Sequence, residues 1–287
     1  MCRFSFWHGR VLLLSFAAME DGIPQVACVV PRFMAMVHEL AAAYARGDWR
    51  SWVEAETAVT GMMSPVVMAE VEAHISGWQR MAGCEGGQTL VHVCSVFVTM
   101  LPSDFYRQGD EAEQKMWEWV ALLHDLTKAP QKGKRDLTHA FRSAAQAARI
   151  LPAVGFPVQA AYGPLVEEWV ALVETAVCST DADPIQDNCQ LPAILDGIER
   201  MFGADSAATL VLKTILLHHS FSPIPEWPNP ATLTEAEIQA FISPALWRLL
   251  GPFLAFDSDG WDMYDAATRP LHAAQIETCI IQVQKLL

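Results

Sequence analysis

The chain carries a series of helix start signals that leaves little room for any architecture other than a helical one. Two sites pair a capping serine with a proline at the first helical position, Ser64-Pro65 and Ser243-Pro244. Thr234 and Glu237 have the spacing of a capping box, in which each side chain accepts a hydrogen bond from the other residue's backbone. No segment alternates apolar and polar residues over the length of a strand. The sequence therefore predicts an all-α fold.

Apolar residues at helical spacing fill the stretches that follow these signals. Gly and Pro residues mark where most of the stretches stop. We predict helices from Ser64 to about Met81, from Gly109-Asp110 to His124-Asp125, over 139–151 with Asp136 or Thr138 as the cap, from Pro164 through Ala176, from Asp205 or Ser206 to His218-His219, from Thr234, and from Ser243 to Asp257. The stretches 180–190 and 222–230 are predicted to be surface loops.

Composition places the chain among globular proteins. Its 287 residues, 52% hydrophobic and 18% charged, are enough to bury a sizeable core. No run of about 18 uncharged apolar residues occurs, so we expect no membrane span. Arg3 and Arg10 precede a short apolar run that faintly resembles a signal peptide, but no cleavage site of small residues follows. We consider Met19 as an alternative start.

Charge and cysteine usage narrow the class of partner and the compartment. A formal charge of −14 argues against nucleic-acid binding, which needs clustered Lys and Arg, and favours a small substrate. The seven cysteines are odd in number and show no C-x-x-C spacing, which predicts buried or free thiols in a reducing cytoplasm. Cys94 is most simply a core residue, with zinc ligation as the alternative.

The dipeptide His124-Asp125 is the clearest sign of chemistry. An imidazole and a carboxylate at the polar end of an apolar helix can both turn towards one divalent cation, and Lys128 lies one helical turn further on. The surroundings strengthen the interpretation. An isolated His92 stands upstream in an apolar run, and Asp257 ends another apolar run downstream.

These residues, in this order, resemble the HD superfamily of metal-dependent phosphohydrolases. The resemblance covers roughly residues 88 to 262 and is strongest from Leu122 to Phe156. It implies a multi-helix bundle in which residues 61–287 form the HD-type domain and residues 1–60 an N-terminal helical extension. It also places His92 on a helix, so we predict a helix for the β-branched run from Leu90 to Met100.

The resemblance implies that His92, His124, Asp125 and Asp257 bind a divalent ion and leave open positions for water and substrate. Mn, Fe, Co, Ni and Zn suit such donors, and Mg suits them less often. Asp259 and Asp262 compete with Asp257 within a stretch that could instead be a solvated turn. The chain departs from the family at Thr127 and at Ala176, where many relatives carry a small apolar residue and a further His, respectively. We therefore expect one tightly held ion.

Other residues have more open roles. Lys128 is expected to bind a phosphate oxygen, and Asp125 to orient the attacking water. His139 lies at a helix N-terminus, where it would stay neutral and could bind a second metal, relay a proton or cap the helix. His218 and His219 point about 100° apart on a helix, so at most one is expected to face the site, and we favour His218. Trp117, Trp119 and Trp261 could belong to the core or line a pocket.

Taken together, these features predict a phosphohydrolase that acts on a small phosphate ester or nucleotide through a metal-activated water. Two alternatives remain. One is a di-iron oxygenase, which would require His139 and His218 both to bind metal. The other is a regulatory module that keeps the metal and performs no chemistry. The substrate and the oligomeric state are not predicted.

Overall fold

A computed structural model of the chain describes residues 22–83, 87–129, 135–178 and 185–287. The all-α prediction is confirmed. The helices are α1 (Val26–Val29), α2 (Pro31–Arg46), α3 (Trp52–Met62), α4 (Pro65–His74), α5 (Gln79–Gly83), α6 (Gln88–Met100), α7 (Asp104–Gln108), α8 (Glu111–Leu123), α9 (His139–Ile150), α10 (Tyr162–Thr175), α11 (Leu191–Phe202), α12 (Ala207–Leu217), α13 (Glu235–Phe241), α14 (Pro244–Asp262) and α15 (Thr268–Leu286).

Two helices form the centre of the bundle. Every residue of α6 from Thr89 to Met100 is buried, and so is every residue of α12. A helix that is apolar on all sides must be surrounded by other elements. Helix α6 packs against α2, α3, α5, α8 and α14, whereas α12 packs against α8, α9, α11 and α14. Helices α8 and α14 therefore link the two central helices.

The predicted start signals form as expected in most places. Ser64, Ser206 and Ser243 each accept a hydrogen bond from the backbone N–H three residues on. Thr234 and Glu237 form the predicted capping box. A second box joins Asp110 to Glu113 at the start of α8, and together these caps satisfy N–H groups that a helix start leaves without partners.

Two predicted helix ends and one predicted cap were wrong. The helix from Ser64 ends at His74. Beyond this end, the side chain of Glu72 accepts hydrogen bonds from the backbone N–H groups of Gly77 (2.8 Å) and Gln79 (2.7 Å), which holds the chain in a non-helical turn. Helix α9 begins at His139 without a side-chain cap from Thr138. Helix α14 continues past Asp257 to Asp262, so the acidic stretch is helical and not a turn.

The N-terminal helices share the core of the helices that follow. The ring of Phe33 on α2 meets Trp78 and Phe97 edge-on, with ring centroids 5.2 and 5.5 Å apart. Trp119 on α8 donates a hydrogen bond to the carbonyl of Pro24 at 2.7 Å. The apolar run near the N-terminus, the alternative start at Met19 and much of the predicted loop 180–190 lie outside the described residues.

Extended structure within the described ranges is confined to a short antiparallel pair, in which Val177 is opposite Gln186 and Cys178 opposite Ile185. The stretch 222–230 is non-helical, as predicted. No single described helix has both the length and the apolar character needed to cross a membrane. Helices α13 and α14 meet that test only as a pair, with a bend of 120° between them.

Candidate metal centre

Helices α6, α8 and α14 bring together His92, His124 and Asp257, which we call the His92 group. The Nε2 atom of His92 lies 2.9 Å from Oδ1 of Asp257 and 3.4 Å from Nε2 of His124. The latter nitrogen lies 3.4 Å from the same Asp257 oxygen. Two imidazole nitrogens and one carboxylate oxygen thus face a common point. These separations suit atoms that share an ion through bonds of about 2.0 to 2.3 Å.

Asp125 directs its two oxygens to different places. Its Oδ2 atom lies 3.7 Å from Nε2 of His92 and 3.8 Å from Nε2 of His124. Its Oδ1 atom lies 2.8 Å from Nε2 of His139. That last contact lacks hydrogen-bond alignment, and neither atom has a hydrogen-bond partner among the described residues. Asp125 therefore connects the His92 group to a second set of side chains.

The second set consists of His139, His218 and His219, which we call the His139 group. One nitrogen from each ring lies within 4.8 Å of the others. The expectation that at most one of His218 and His219 faces the site is corrected. His218 follows the last residue of α12 and keeps helical dihedral angles (φ −61°, ψ −25°), yet its ring and that of His219 both contact the ring of His139, with centroids 5.4 and 4.4 Å apart.

Three of the histidines are oriented by the same kind of hydrogen bond, which joins Nδ1 to the backbone carbonyl three residues earlier. The Nδ1 atom of His124 bonds the carbonyl of Ala121 at 3.0 Å, and that of His218 bonds the carbonyl of Ile215 at 2.7 Å. Both residues follow the last turn of a helix, where carbonyls lack intrahelical partners. His139 Nδ1 bonds the carbonyl of Asp136. With the proton on Nδ1, each ring presents the lone pair of Nε2 to the centre.

His92 is fixed by packing instead. The ring of Trp261 stacks on it with centroids 4.2 Å apart and planes 13° apart, and Trp52 stacks on Trp261 at 5.7 Å and 16°. Gly260 lets α14 approach α6 closely at this point. A Cβ atom there would lie 2.7 Å from a side-chain carbon of Val96 and 3.3 Å from Cε1 of His92. The position of His92 thus depends on the sequence of α14.

Lys128 lies at the open side of the centre. Its Nζ atom donates to Oδ2 of Asp125 at 2.7 Å and lies 5.1 Å from the centroid of the Trp261 ring. The side chains of Lys128 and Asp257 are 15% and 20% exposed, whereas those of His92 and His124 are fully buried. The centre is therefore open to water on the side of Lys128 and Asp257.

Electrostatics keep both carboxylates ionised. Burial opposes ionisation of Asp125, but the charges of Lys128 and His124 outweigh it and hold the pKa of Asp125 well below its usual range. Burial likewise opposes ionisation of Asp257, but hydrogen bonds from His124 and His92 lower its pKa. Burial also disfavours the charged form of Lys128, yet Asp125 and Asp257 raise its pKa, so the ammonium stays protonated.

The pKa is lowered for His92, His218 and His219 and raised for His124. Burial lowers the pKa of His218 to about 3 and, together with the neighbouring His139, holds the pKa of His219 well below its usual range. Burial also lowers the pKa of His92, although Asp257 opposes that change. Burial disfavours the charged form of His124, but Asp125 and Asp257 outweigh it and raise its pKa. Neutral rings are the form that binds metal.

Thr127, one departure from the family pattern, joins the turn after α8 to α9. Its backbone N–H donates to Oγ of Ser143 at 3.1 Å. Its hydroxyl lies 3.1 Å from the same oxygen and donates to the carbonyl of His139 at 3.3 Å. Thr127, between Asp125 and Lys128 in the sequence, thus helps to hold the start of the helix that carries His139.

The remaining candidates lie away from the centre or in the core. Cys94 is buried, and burial raises the pKa of its thiol to about 12, as expected of an inert core residue. Trp117 and Trp119 are buried core residues. Asp259 pairs with Arg269 at 2.8 Å, and Asp262 pairs with His272 at 2.6 Å. These two aspartates join α14 to α15, and only Asp257 of the acidic stretch faces the centre.

The sequence analysis missed His219 as a member of the centre. Its signal was present, since two consecutive histidines follow the end of an apolar helix. Comparisons of the chain with protein-family models, with curated proteins and with solved structures found no match.

Proposed function

We propose that this protein is a metal-dependent hydrolase of a small phosphate ester and that its centre holds two divalent ions. The observation that carries the proposal is the position of Asp125. One of its oxygens faces the His92 group and Lys128, and the other faces His139. A carboxylate shared in this way is suited to bridge two ions, which is the arrangement of two-metal hydrolytic sites.

The donor atoms fit such ions. The Nε2 atoms of His139 and His218 and the Oδ1 atom of Asp125 are buried without a hydrogen-bond partner among the described residues. Buried polar atoms of this kind call for an explanation, and a bound cation supplies one. Mixed imidazole and carboxylate donors suit Mn, Fe, Co, Ni or Zn better than Mg.

The expectation of a single ion rested on the missing histidine near Ala176. The His139 group supplies a full set of donors without that residue, because His219 stands beside His218. Together with Asp125, the three imidazoles give the second ion four protein ligands. We therefore propose two ions in place of one.

The chain's own groups then have separate roles in hydrolysis. Bound ions would acidify a water molecule and polarise a phosphoryl oxygen. Asp125 and Asp257 stay ionised, and either carboxylate would orient that water by accepting a hydrogen bond from it. Lys128, held protonated at the open side, is placed to contact a non-bridging phosphate oxygen as a compact positive charge.

The test is hydrolysis of a panel of phosphomonoesters and phosphodiesters by protein loaded with Mn, Fe, Co or Zn. We expect metal-dependent release of phosphate or alcohol, and its loss in Asp125→Asn, which keeps the size of the side chain and removes its charge. Asp196→Asn, on the exposed surface of α11, is the matched control and should retain activity. Absence of hydrolysis with every metal and substrate would overturn the proposal.

A second candidate is oxidation of a substrate by oxygen at two irons. The observation that favours it is the complete set of donors that the resemblance requires for such chemistry, with His139 and His218 both directed at the centre. Oxygen uptake by iron-loaded protein separates the two candidates. Turnover that is equal with and without oxygen supports hydrolysis, and turnover that requires oxygen supports oxidation.

A regulatory module without chemistry is the least favoured alternative. Such a module would be expected to have a closed or filled centre. Here Asp257 and Lys128 are partly exposed, so the centre is accessible.

A further inference from the structure

An open cleft lies one helical turn from the metal centre. It has a volume of about 700 Å³ and is lined by Trp52, Trp261, Tyr264, Asp265, Ala266 and Ala267. This volume is within the range of small-molecule sites. Trp261 follows Asp257 by four residues on α14, so the two side chains share a helix face and stand about 5 to 6 Å apart at Cβ.

The ring of Trp261 lies between the cleft and the metal centre. The ring of Trp261 contacts His92 on the side of the centre and Trp52 on the side of the cleft. The Nζ atom of Lys128 lies 5.1 Å from the centroid of this ring. A molecule whose phosphate contacts Lys128 would therefore extend its other end past Trp261 into the cleft.

The charge of the cleft is negative. Asp265 is the one formally charged residue in its lining, and its Oδ1 atom accepts hydrogen bonds from the backbone N–H groups of Ala267 (3.0 Å) and Thr268 (2.9 Å). The chain as a whole carries a formal charge of −14. A second phosphate or a carboxylate in the cleft would be repelled, whereas a cation would be attracted.

The aromatic rings are poorly arranged for a nucleobase. A base inserted between two rings needs them roughly 7 Å apart, twice the carbon contact distance. The Trp52 and Trp261 centroids are 5.7 Å apart in nearly parallel planes, and the other face of Trp261 is covered by His92. With Trp261 covered on both faces, Trp52 and Tyr264 are the rings left to contact a ligand, and aromatic rings beside a carboxylate are the usual surroundings of an alkylammonium group.

We propose that the cleft binds a compact alkylammonium group, so that the substrate is a zwitterion with a phosphate ester at one end and a cationic head at the other. Trp52 and Tyr264 contact the head, and Asp265 supplies the opposite charge. The assignment of the phosphate end rests on the proposed function. The assignment of the cleft rests on its own lining.

The first experiment measures binding without hydrolysis. Choline and its uncharged isostere, 3,3-dimethylbutan-1-ol, are titrated into metal-loaded protein by calorimetry, with adenosine as a third probe. We expect choline to bind roughly tenfold more tightly than the alcohol, because the two differ only in charge. Equal binding of choline and the alcohol, or tighter binding of adenosine than of choline, would overturn the proposal.

Variants of the cleft residues then test whether the preference for choline over the alcohol arises in the cleft. Asp265→Asn retains an oxygen for the two backbone N–H groups and removes the charge, so choline affinity should fall about threefold while that of the alcohol is unchanged. Trp52→Leu should weaken choline more strongly, and circular dichroism checks its folding. Asp196→Asn gives the same change in net charge on α11 and should have no effect. Unchanged choline affinity in Asp265→Asn and in folded Trp52→Leu would contradict the assignment.

The second experiment tests whether binding in the cleft contributes to hydrolysis at the metal centre. Phosphocholine and 3,3-dimethylbutyl phosphate are compared as substrates, and kcat/KM should favour phosphocholine by a similar factor that Asp265→Asn reduces. Choline binding without any phosphatase activity would preserve the cleft and refute the proposed function. Phosphatase activity without a preference for the charged ester would refute the cleft alone.

Discussion

The His92 group and the His139 group contain similar side chains but are held in different ways. The His92 group comes from the bodies of α6 and α14 and the end of α8, and it includes the carboxylate of Asp257. The His139 group consists only of imidazoles at element ends, where α9 begins and just after α12 ends. The first group has charge and rigid packing. The second relies on Asp125 for its only formal charge.

Because of this difference, we expect the two groups to bind their ions with different affinities. A site with two carboxylate oxygens attracts a dication more strongly than one with a single shared oxygen. We therefore expect the ion of the His92 group to be retained longer during stepwise chelation. Release of both ions in a single step would show that the groups do not act separately.

Asp125→Ala should have the largest effect, because the two oxygens of Asp125 face different groups. We expect loss of nearly all bound metal and of turnover, measured by elemental analysis and by the phosphoester assay. Circular dichroism provides the folding control. Metal content equal to that of the wild type would show that Asp125 holds neither ion.

His92→Ala and His218→Ala form a matched pair that separates the groups. We expect His218→Ala to lose one ion and keep the other, because the His92 group remains complete. His92→Ala should lose more than one equivalent, since the more tightly bound ion organises Asp125 for its neighbour. Elemental analysis gives the metal content of both variants. A greater loss of metal from His218→Ala than from His92→Ala would contradict the comparison.

Lys128→Ala should leave the metal in place and weaken only the chemistry. Loss of one charge-stabilising donor typically lowers turnover by about 10²-fold. We expect the decrease mainly in kcat/KM for phosphate esters, with metal content unchanged. A parallel loss of metal would mean that the role of Lys128 is to hold Asp125 and not to contact substrate.

Gly260→Ala tests how far the His92 group depends on packing. The added methyl group would meet Val96 and His92, and overpacking of this kind costs about 1 to 3 kcal/mol of unfolding free energy. Chemical denaturation measures that cost. Gly61→Ala, where a Cβ meets nothing within 4 Å, is the control and should not destabilise the protein. Equal stability of both variants would show that α6 and α14 adjust freely.

Thr127→Val should have the smallest effect. The substitution keeps the shape and removes hydroxyl contacts to Ser143 and to the carbonyl of His139, worth about 1 kcal/mol. We expect a small loss of stability and weaker binding of the His139-group ion alone, measured by calorimetric metal titration. Thr127→Ser should restore both. Weakening of both ions to the same extent would indicate a general effect on folding.

The helical architecture could be predicted because its signals are local. The serine and threonine caps at Ser64, Ser206, Thr234 and Ser243 each depend on only a few consecutive residues. The limits that failed depended on longer-range contacts or on irregular backbone. Glu72 ends α4 by turning towards Gly77, and nothing within the apolar pattern of the helix indicates this.

The centre was predictable in part for the same reason. His124 and Asp125 are adjacent, and the resemblance supplied His92 and Asp257. The assumption that adjacent helical residues cannot both face one centre hid the second imidazole of the His218-His219 pair. The stacking of Trp261 on His92 was equally hidden, because it joins residues that lie far apart in the sequence on two different helices.

Anomalous X-ray diffraction from crystals grown with Mn²⁺ tests the central claim most directly. Our account predicts two anomalous peaks about 3.5 to 4 Å apart on either side of the Asp125 carboxylate, one beside the His92 group and one beside the His139 group. A single peak, or none in contact with Asp125, would contradict it.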